Sequence, residues 1–177
     1  MPIRTDVVDW AIWESDHGSW KPSAEEIQNI FTTAGLQAPS LTDAENSLRT
    51  RSSGIKMGGY VIHWCGIFAC YVLKRWGGLD VKWRLGEGIK GSGVVRRSGD
   101  QNIRAGDVAW IRGAANSSGQ YAWHHFIVTK VNYGTNKLES VDGNSTNNSI
   151  VWHSKSIRYS GNDAADKNIW GYYQLNA

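Results

Sequence analysis

Two cysteines, five histidines and sixteen Asp and Glu side chains are spread over 177 residues, and only a few of them stand in a pattern. Cys65 follows Trp64 inside the most apolar stretch of the chain, Tyr60 to Trp76. A thiol attacks a carbonyl carbon as thiolate, and a helix N-terminus or a nearby imidazole lowers its pKa from ~8.5. Position supplies the first of these. Phe68, Ala69, Val72, Leu73 and Trp76 follow Cys65 at helical intervals, as one apolar stripe of a helix that begins at the cysteine and stops at Gly77-Gly78. A cysteine in an apolar helix is also an ordinary small core residue, and Cys70, mid-helix, has only that reading.

The imidazole has to come from elsewhere in the fold. Trp123-His124-His125-Phe126-Ile127-Val128 opens a strand after a polar loop from Gly113 to Gln120. Strand alternation groups His124 with Phe126 and Val128, and His125 with Ile127 and Thr129. One of the two faces the cysteine helix, and periodicity leaves open which. Downstream, Val141-Asp142-Gly143-Asn144 ends the next strand with Asp142 and Asn144 on one face. Either suits the imidazole nitrogen that does not serve the thiol, and both Asp-Gly and Gly-Asn are also turn formers. Asn144 is slightly favoured, because a neutral amide fixes the tautomer without adding charge.

The elements that must position these groups read as helices first and strands afterwards. Val7, Val8, Ala11 and Ile12 give a helix over 5–15, broken at Gly18. Ser23-Ala-Glu-Glu is a capping box for a second helix that ends at Gly35, and Thr42-Asp-Ala-Glu is another, opening a short helix to Arg51. Residues 52–59 form a Gly- and Ser-rich loop. From residue 104 on, short strands dominate: 108–111, 126–131, 137–141, 150–153 and 169–174, an antiparallel meander. The expectation is one α+β domain spanning 1–177, helical over 1–78 and mainly β over 104–175.

Composition narrows the function. A net charge of +3, with basic and acidic residues intermingled, lacks the concentrated patch of a nucleic-acid binder. No stretch approaches the ~18 apolar residues of a membrane span, and the N-terminus shows no apolar signal segment, so synthesis in the cytoplasm is expected. The side chains of Cys65 and Cys70 diverge on one helix, which argues against a disulfide, and no zinc spacing occurs. No metal and no cofactor are expected. Ten Trp residues are many for this length. Most serve core and cleft packing, and some can form a stacking platform for sugar or peptide.

The order of these features resembles the CHAP and NlpC-type peptidases, a papain-like group that cuts peptidoglycan amides. Trp64-Cys65-Gly66-Ile67-Phe68 resembles the Trp-Cys-x-x-Phe nucleophile motif of that group, and Gly106-Asp107-Val108 its Gly-Asp strand opener. His124 to Val131 is similar to its His-x-x-Ile-Val-x-x-Val pattern, which implies His124 rather than His125 as the base. Asp142-Gly143-Asn144 is similar to its signature for the remaining polar residues. Trp123 departs from the Gly that often precedes the histidine in the group. The resemblance covers roughly 60–173 and implies a papain-like fold with Cys65 as nucleophile and peptidoglycan stem peptides as substrate. Tyr60 or His63 would supply an oxyanion side chain, with Tyr60, Trp64 and Trp123 near the substrate. His17 and His153 read as surface residues. A lone catalytic domain of this kind suits a phage lysin or an exported antibacterial effector acting in the periplasm or cell wall, with a possible immunity or inhibitor protein as partner. A host-directed glutamine deamidase or isopeptidase on the same scaffold, and a non-catalytic glycan-binding module, are the competing readings.

Overall fold

The computed structural model describes residues 2–16, 21–50, 54–115, 119, 121–145, 148–161 and 167–176. His17, Gly18 and the expected helix end at Arg51 lie outside them. Among the described residues the architecture is mixed α+β, with four helices and a six-stranded antiparallel sheet. Helix α1 is Pro2–Asp16 and α2 Ala24–Thr33. Ser23 caps α2 with the full reciprocal box, its hydroxyl accepting from the Glu26 N–H while the Glu26 carboxylate accepts from the Ser23 N–H. Helix α3, Leu41–Arg49, is capped by Ser40 rather than opened at Thr42. The two overlapping signatures, Ser40…Asp43 and Thr42…Glu45, compete, and the Ser40 hydroxyl takes the Asp43 N–H at 3.0 Å.

Between residues 54 and 98 the helix expected from Cys65 is present, but it is flanked by five short strands where a loop and no strand were expected. Strands β1 (Ile55–Met57) and β2 (Tyr60–Ile62) pair across Gly58-Gly59, both at positive φ, the backbone of a tight two-residue hairpin. Helix α4, Cys65–Arg75, follows, and after it β3 (Val81–Arg84), β4 (Gly88–Gly91) and β5 (Val94–Ser98). The rest is β6 (Val108–Ala115), β7 (Tyr121–Asn132), β8 (Lys137–Ser145), β9 (Ser149–Ser156) and β10 (Ile169–Leu175). The sheet order is β5-β10-β6-β7-β8-β9. Strands β6 to β9 form the expected meander, whereas β10 crosses back to the far edge of β6 and takes β5 as its outer neighbour.

Alternation divides the sheet's side chains into two cores. Val108, Trp110, Ile127, Val141, Ile150, Tyr173 and Leu175 share one core with α4 and the other helices. Ala109, Phe126, Val128, Leu138 and Tyr172 build the other on the opposite face. Helix α4 is buried nearly all round rather than along one stripe, with Ile67, Phe68, Ala69, Cys70, Val72 and Leu73 all enclosed. The fit to the sheet is close: a Cβ on Gly143 of β8 would come within 2.6 Å of the Phe68 side chain. At the helix end Gly78 takes φ +63, which lets the Leu79 N–H reach the Leu73 carbonyl at 3.2 Å.

Two polar anchors fix the frame. Trp64, wholly buried, donates from its indole nitrogen to Asn148 Oδ1 at 3.0 Å, and Asn148 Nδ2 donates to the Ser47 carbonyl, tying the start of α4 to the β8–β9 turn and to α3. Asp107, also wholly buried, accepts from Arg4 at 2.8 Å and from the Leu175 and Arg104 amides, joining α1, β10 and the approach to β6. The Gly-Asp pair therefore has a structural task. We expect Asp107→Ala, which strands Arg4 and two amides, to lower unfolding free energy by about 3 kcal/mol or more in urea titrations. Alkylation of Cys65 in the folded protein should stay unchanged.

Candidate active site

The ladder between β7 and β8 runs from Asn132↔Lys137 to Ile127↔Val141. Beyond that point the first residue of α4 meets the edge of β7. Cys65 Sγ accepts the His125 N–H at 3.4 Å and lies 3.6 Å from the Trp123 carbonyl oxygen. The sulfur thus occupies the place where a β8 backbone group would otherwise sit, with one histidine on each side of the strand. His125 falls on the α4 face, against Trp83, Trp110 and Tyr173 at centroid distances of 5.1, 5.8 and 6.4 Å. His124 falls on the Phe126 face, 6.4 Å from that ring. Both imidazoles nevertheless pull the thiol's pKa down, and the sulfur sits at the strand's edge, against the His125 amide and the Trp123 carbonyl, rather than over one face.

His124 Nε2 meets Asp142 Oδ2 at 2.7 Å. Asp142 points away from α4, between Val141 and Gly143, which pack toward it. The group on this nitrogen is therefore the carboxylate of Asp142; Asn144, two residues on, has a left-handed backbone with φ +51. The carboxylate is itself held from behind. Lys155 Nζ of β9 donates to the same Oδ2 at 2.5 Å, and Ser140 Oγ donates to Oδ1 at 2.6 Å. His153 is half-buried rather than at the surface: its Nε2 lies 3.1 Å from Ser145 Oγ, and Asp142, Lys155 and His124 all act on it.

These contacts set the charges. Burial opposes a thiolate at Cys65, but the hydrogen bonds from His124 and His125 and their charges overcome it and bring the thiol to about 5. Burial likewise opposes an imidazolium at His124, yet its bonds to Asp142 and Cys65, with the charges of both, raise it to about 9. Burial works against the Asp142 carboxylate too. The Lys155 ammonium, then the His124 bond, hold that carboxyl well below the usual range. Between pH 5 and 9 the resting pair is thiolate and imidazolium. Cys70, with no such partner, is pushed by burial to about 12, and the nearby Lys74 charge only partly offsets this. Neither cysteine is in a disulfide.

Cys65 opens on a cleft of about 750 Å³ whose walls include Trp83, Arg96, Trp110, His125 and Trp170. Gly66 and Trp83 fix its floor: a Cβ at residue 66 would stand 2.2 Å from the indole ring. Trp123, 43 % exposed, lines the cleft in an edge-on pair with Trp170 at 5.6 Å. His63 also lines it. Trp64 does not fit a substrate contact: its ring is 0 % exposed and committed to Asn148. Tyr60, 75 % exposed on β2, lies outside the cleft lining, whereas its neighbours Val61 and Ile62 belong to it. Sequence reasoning missed Lys155, Ser140 and Trp83. Only the alternation of Val151, His153 and Lys155 along β9 hinted that the lysine shares a face with Asp142.

Iodoacetamide at pH 6 to 7 is expected to alkylate Cys65 at a thiolate's rate and leave Cys70 untouched until the protein unfolds, as peptide mass mapping would show. Replacing Asp142 by Asn removes the charge that keeps His124 protonated, so the Cys65 inflection should move up and alkylation at pH 6 slow by about tenfold or more. An unchanged rate in that variant would exclude the relay described above.

No protein-family model, curated protein or solved structure matches the chain, and the chemistry of the site has to be read from its own atoms.

Proposed function

We propose that the protein is a papain-like cysteine hydrolase that cleaves amide bonds in peptidoglycan stem peptides. One observation carries this reading. A buried thiol with its pKa brought to about 5 by two imidazoles, one of them backed by a carboxylate, stands at the wall of a cleft large enough for a peptide. Such perturbation is what a nucleophile needs and what a merely packed cysteine lacks, as Cys70 illustrates. The order of the motifs around Cys65, Asp107, His124 and Asp142, similar to the CHAP and NlpC-type peptidases, supports the substrate class.

In this mechanism the Cys65 thiolate attacks the amide carbon, forming the S–C bond and an oxyanion. Trp64, the N-cap of α4, contributes no side-chain cap, so the amides of the first helical turn are available as oxyanion donors at the positive end of the helix. His124 passes its proton to the departing amine as the C–N bond breaks. It then takes a proton from the water that hydrolyses the thioester, which frees the acid and restores the thiol as thiolate. Asp142 keeps the ring oriented through both transfers.

Incubation with purified sacculi should release muropeptides identifiable by mass, and the bond cut follows from the fragments. Cys65→Ala is expected to abolish release while retaining the native fold by circular dichroism. His124→Ala should reduce it by about 10²- to 10⁴-fold. Undiminished release by the Cys65 variant would exclude the nucleophile. A fast-alkylating Cys65 with intact sacculi would keep the thiol chemistry and reject the substrate.

A further inference from the structure

Behind His124 the structure places a second cation where a thiol–imidazole–carboxylate triad requires none. Lys155 is largely buried on β9, with its ammonium 4.1 Å from the centroid of Phe126, the residue against which His124 also rests. Its Nζ and the His124 Nε2 converge on one oxygen, Asp142 Oδ2, so the two nitrogens stand no more than about 5 Å apart. The other carboxylate oxygen is taken by Ser140. Desolvating an ammonium is costly unless it is paired, and burial pulls Lys155 below the ordinary lysine value even with Asp142 beside it. A residue needed only to fill this space would be apolar.

We propose that Lys155 is a positioning residue of the catalytic site, dividing the Asp142 carboxylate with His124 and thereby setting how firmly the imidazolium holds its proton. The inference rests on Cys65 and His124 being nucleophile and acid–base, and goes beyond it in assigning the strength of the acid. With Asp142 to itself, His124 would hold its proton more tightly and release it less readily to a leaving amine. Lys155 draws off part of that charge and also repels the imidazolium. The thiolate is kept because Cys65 and His124 still pair, and the set Cys65, His124, Asp142 and Lys155 is neutral as a whole. The other polar groups around the carboxylate are Ser140 from β8 and His153 from β9, beside Ser145.

The test needs no substrate. In the full-length ¹⁵N-labelled protein, the titration midpoint of the His124 ring is followed by NMR, alongside the iodoacetamide rate of Cys65 at pH 7. Wild-type His124 is expected near 9. Lys155→Met keeps the stem and drops the charge, and Lys155→Gln drops the charge but keeps a donor for Asp142. Both should raise the midpoint by on the order of one pH unit while Cys65 continues to react as a thiolate, and Lys155→Arg should hold the wild-type midpoint. Either neutral variant that folds suffices. A midpoint that stays put or falls in the neutral variants, or moves equally in the Arg variant, overturns the assignment. If instead the wild-type ring titrates near 6.5 and Cys65 reacts as an ordinary thiol, the ion pair itself is refuted, and the role of Lys155 with it.

Discussion

The site depends on where a helix end meets the edge of a strand. β7 loses its β8 partner just beyond Ile127, and the N-terminus of α4 fills the opening, so that a sulfur atom takes a backbone hydrogen bond from His125. A cysteine placed over one face of the sheet would meet one histidine of an adjacent pair. Placed at the edge, it has its pKa lowered by both. The buried Trp64–Asn148 bond, the close fit of Gly143 to Phe68, and the Asp107 anchor at the approach to β6 all serve to hold that junction in register.

Electrostatics follow from the same placement. Every member of the chain from Cys65 through His124 to Asp142 and Lys155 is wholly or largely withdrawn from water, and a lone charge among them would be expensive. Alternating sign solves the problem: thiolate, imidazolium, carboxylate, ammonium. The same alternation makes the thiolate the resting form at neutral pH, so reactivity and tolerance of burial have one cause.

Much of this was legible in the chain, and the failures have physical reasons. The intervals from Cys65 to Leu73 predicted α4 and its start, since helical periodicity survives burial. Its near-complete enclosure was not visible, because packing from the back by α1 and α2 leaves no mark on the pattern. β7 read five residues too short at its start: Tyr121 to His125 mix aromatic and polar groups, which hides alternation. The hairpin at Gly58-Gly59 escaped because three-residue strands offer no period, although the Gly pair was its signal. His124 and Asp142 could be chosen as members of the site, but the carboxylate's claim over Asn144 was settled by tertiary register. Lys155 reaches it from β9, two residues beyond the stretch 150–153 that reads as that strand in the sequence.

The contact between Gly66 and Trp83 has a consequence for how this site can vary. The residue after Cys65 is held to a bare hydrogen by an indole that arrives from a separate hairpin. A side chain at 66 becomes admissible only if position 83 first shrinks, and a smaller group at 83 would in turn leave an unfilled hollow next to the sulfur. The two positions form a locked couple, seventeen residues apart in the chain. Drift at either one alone would deform the floor of the cleft beside Cys65.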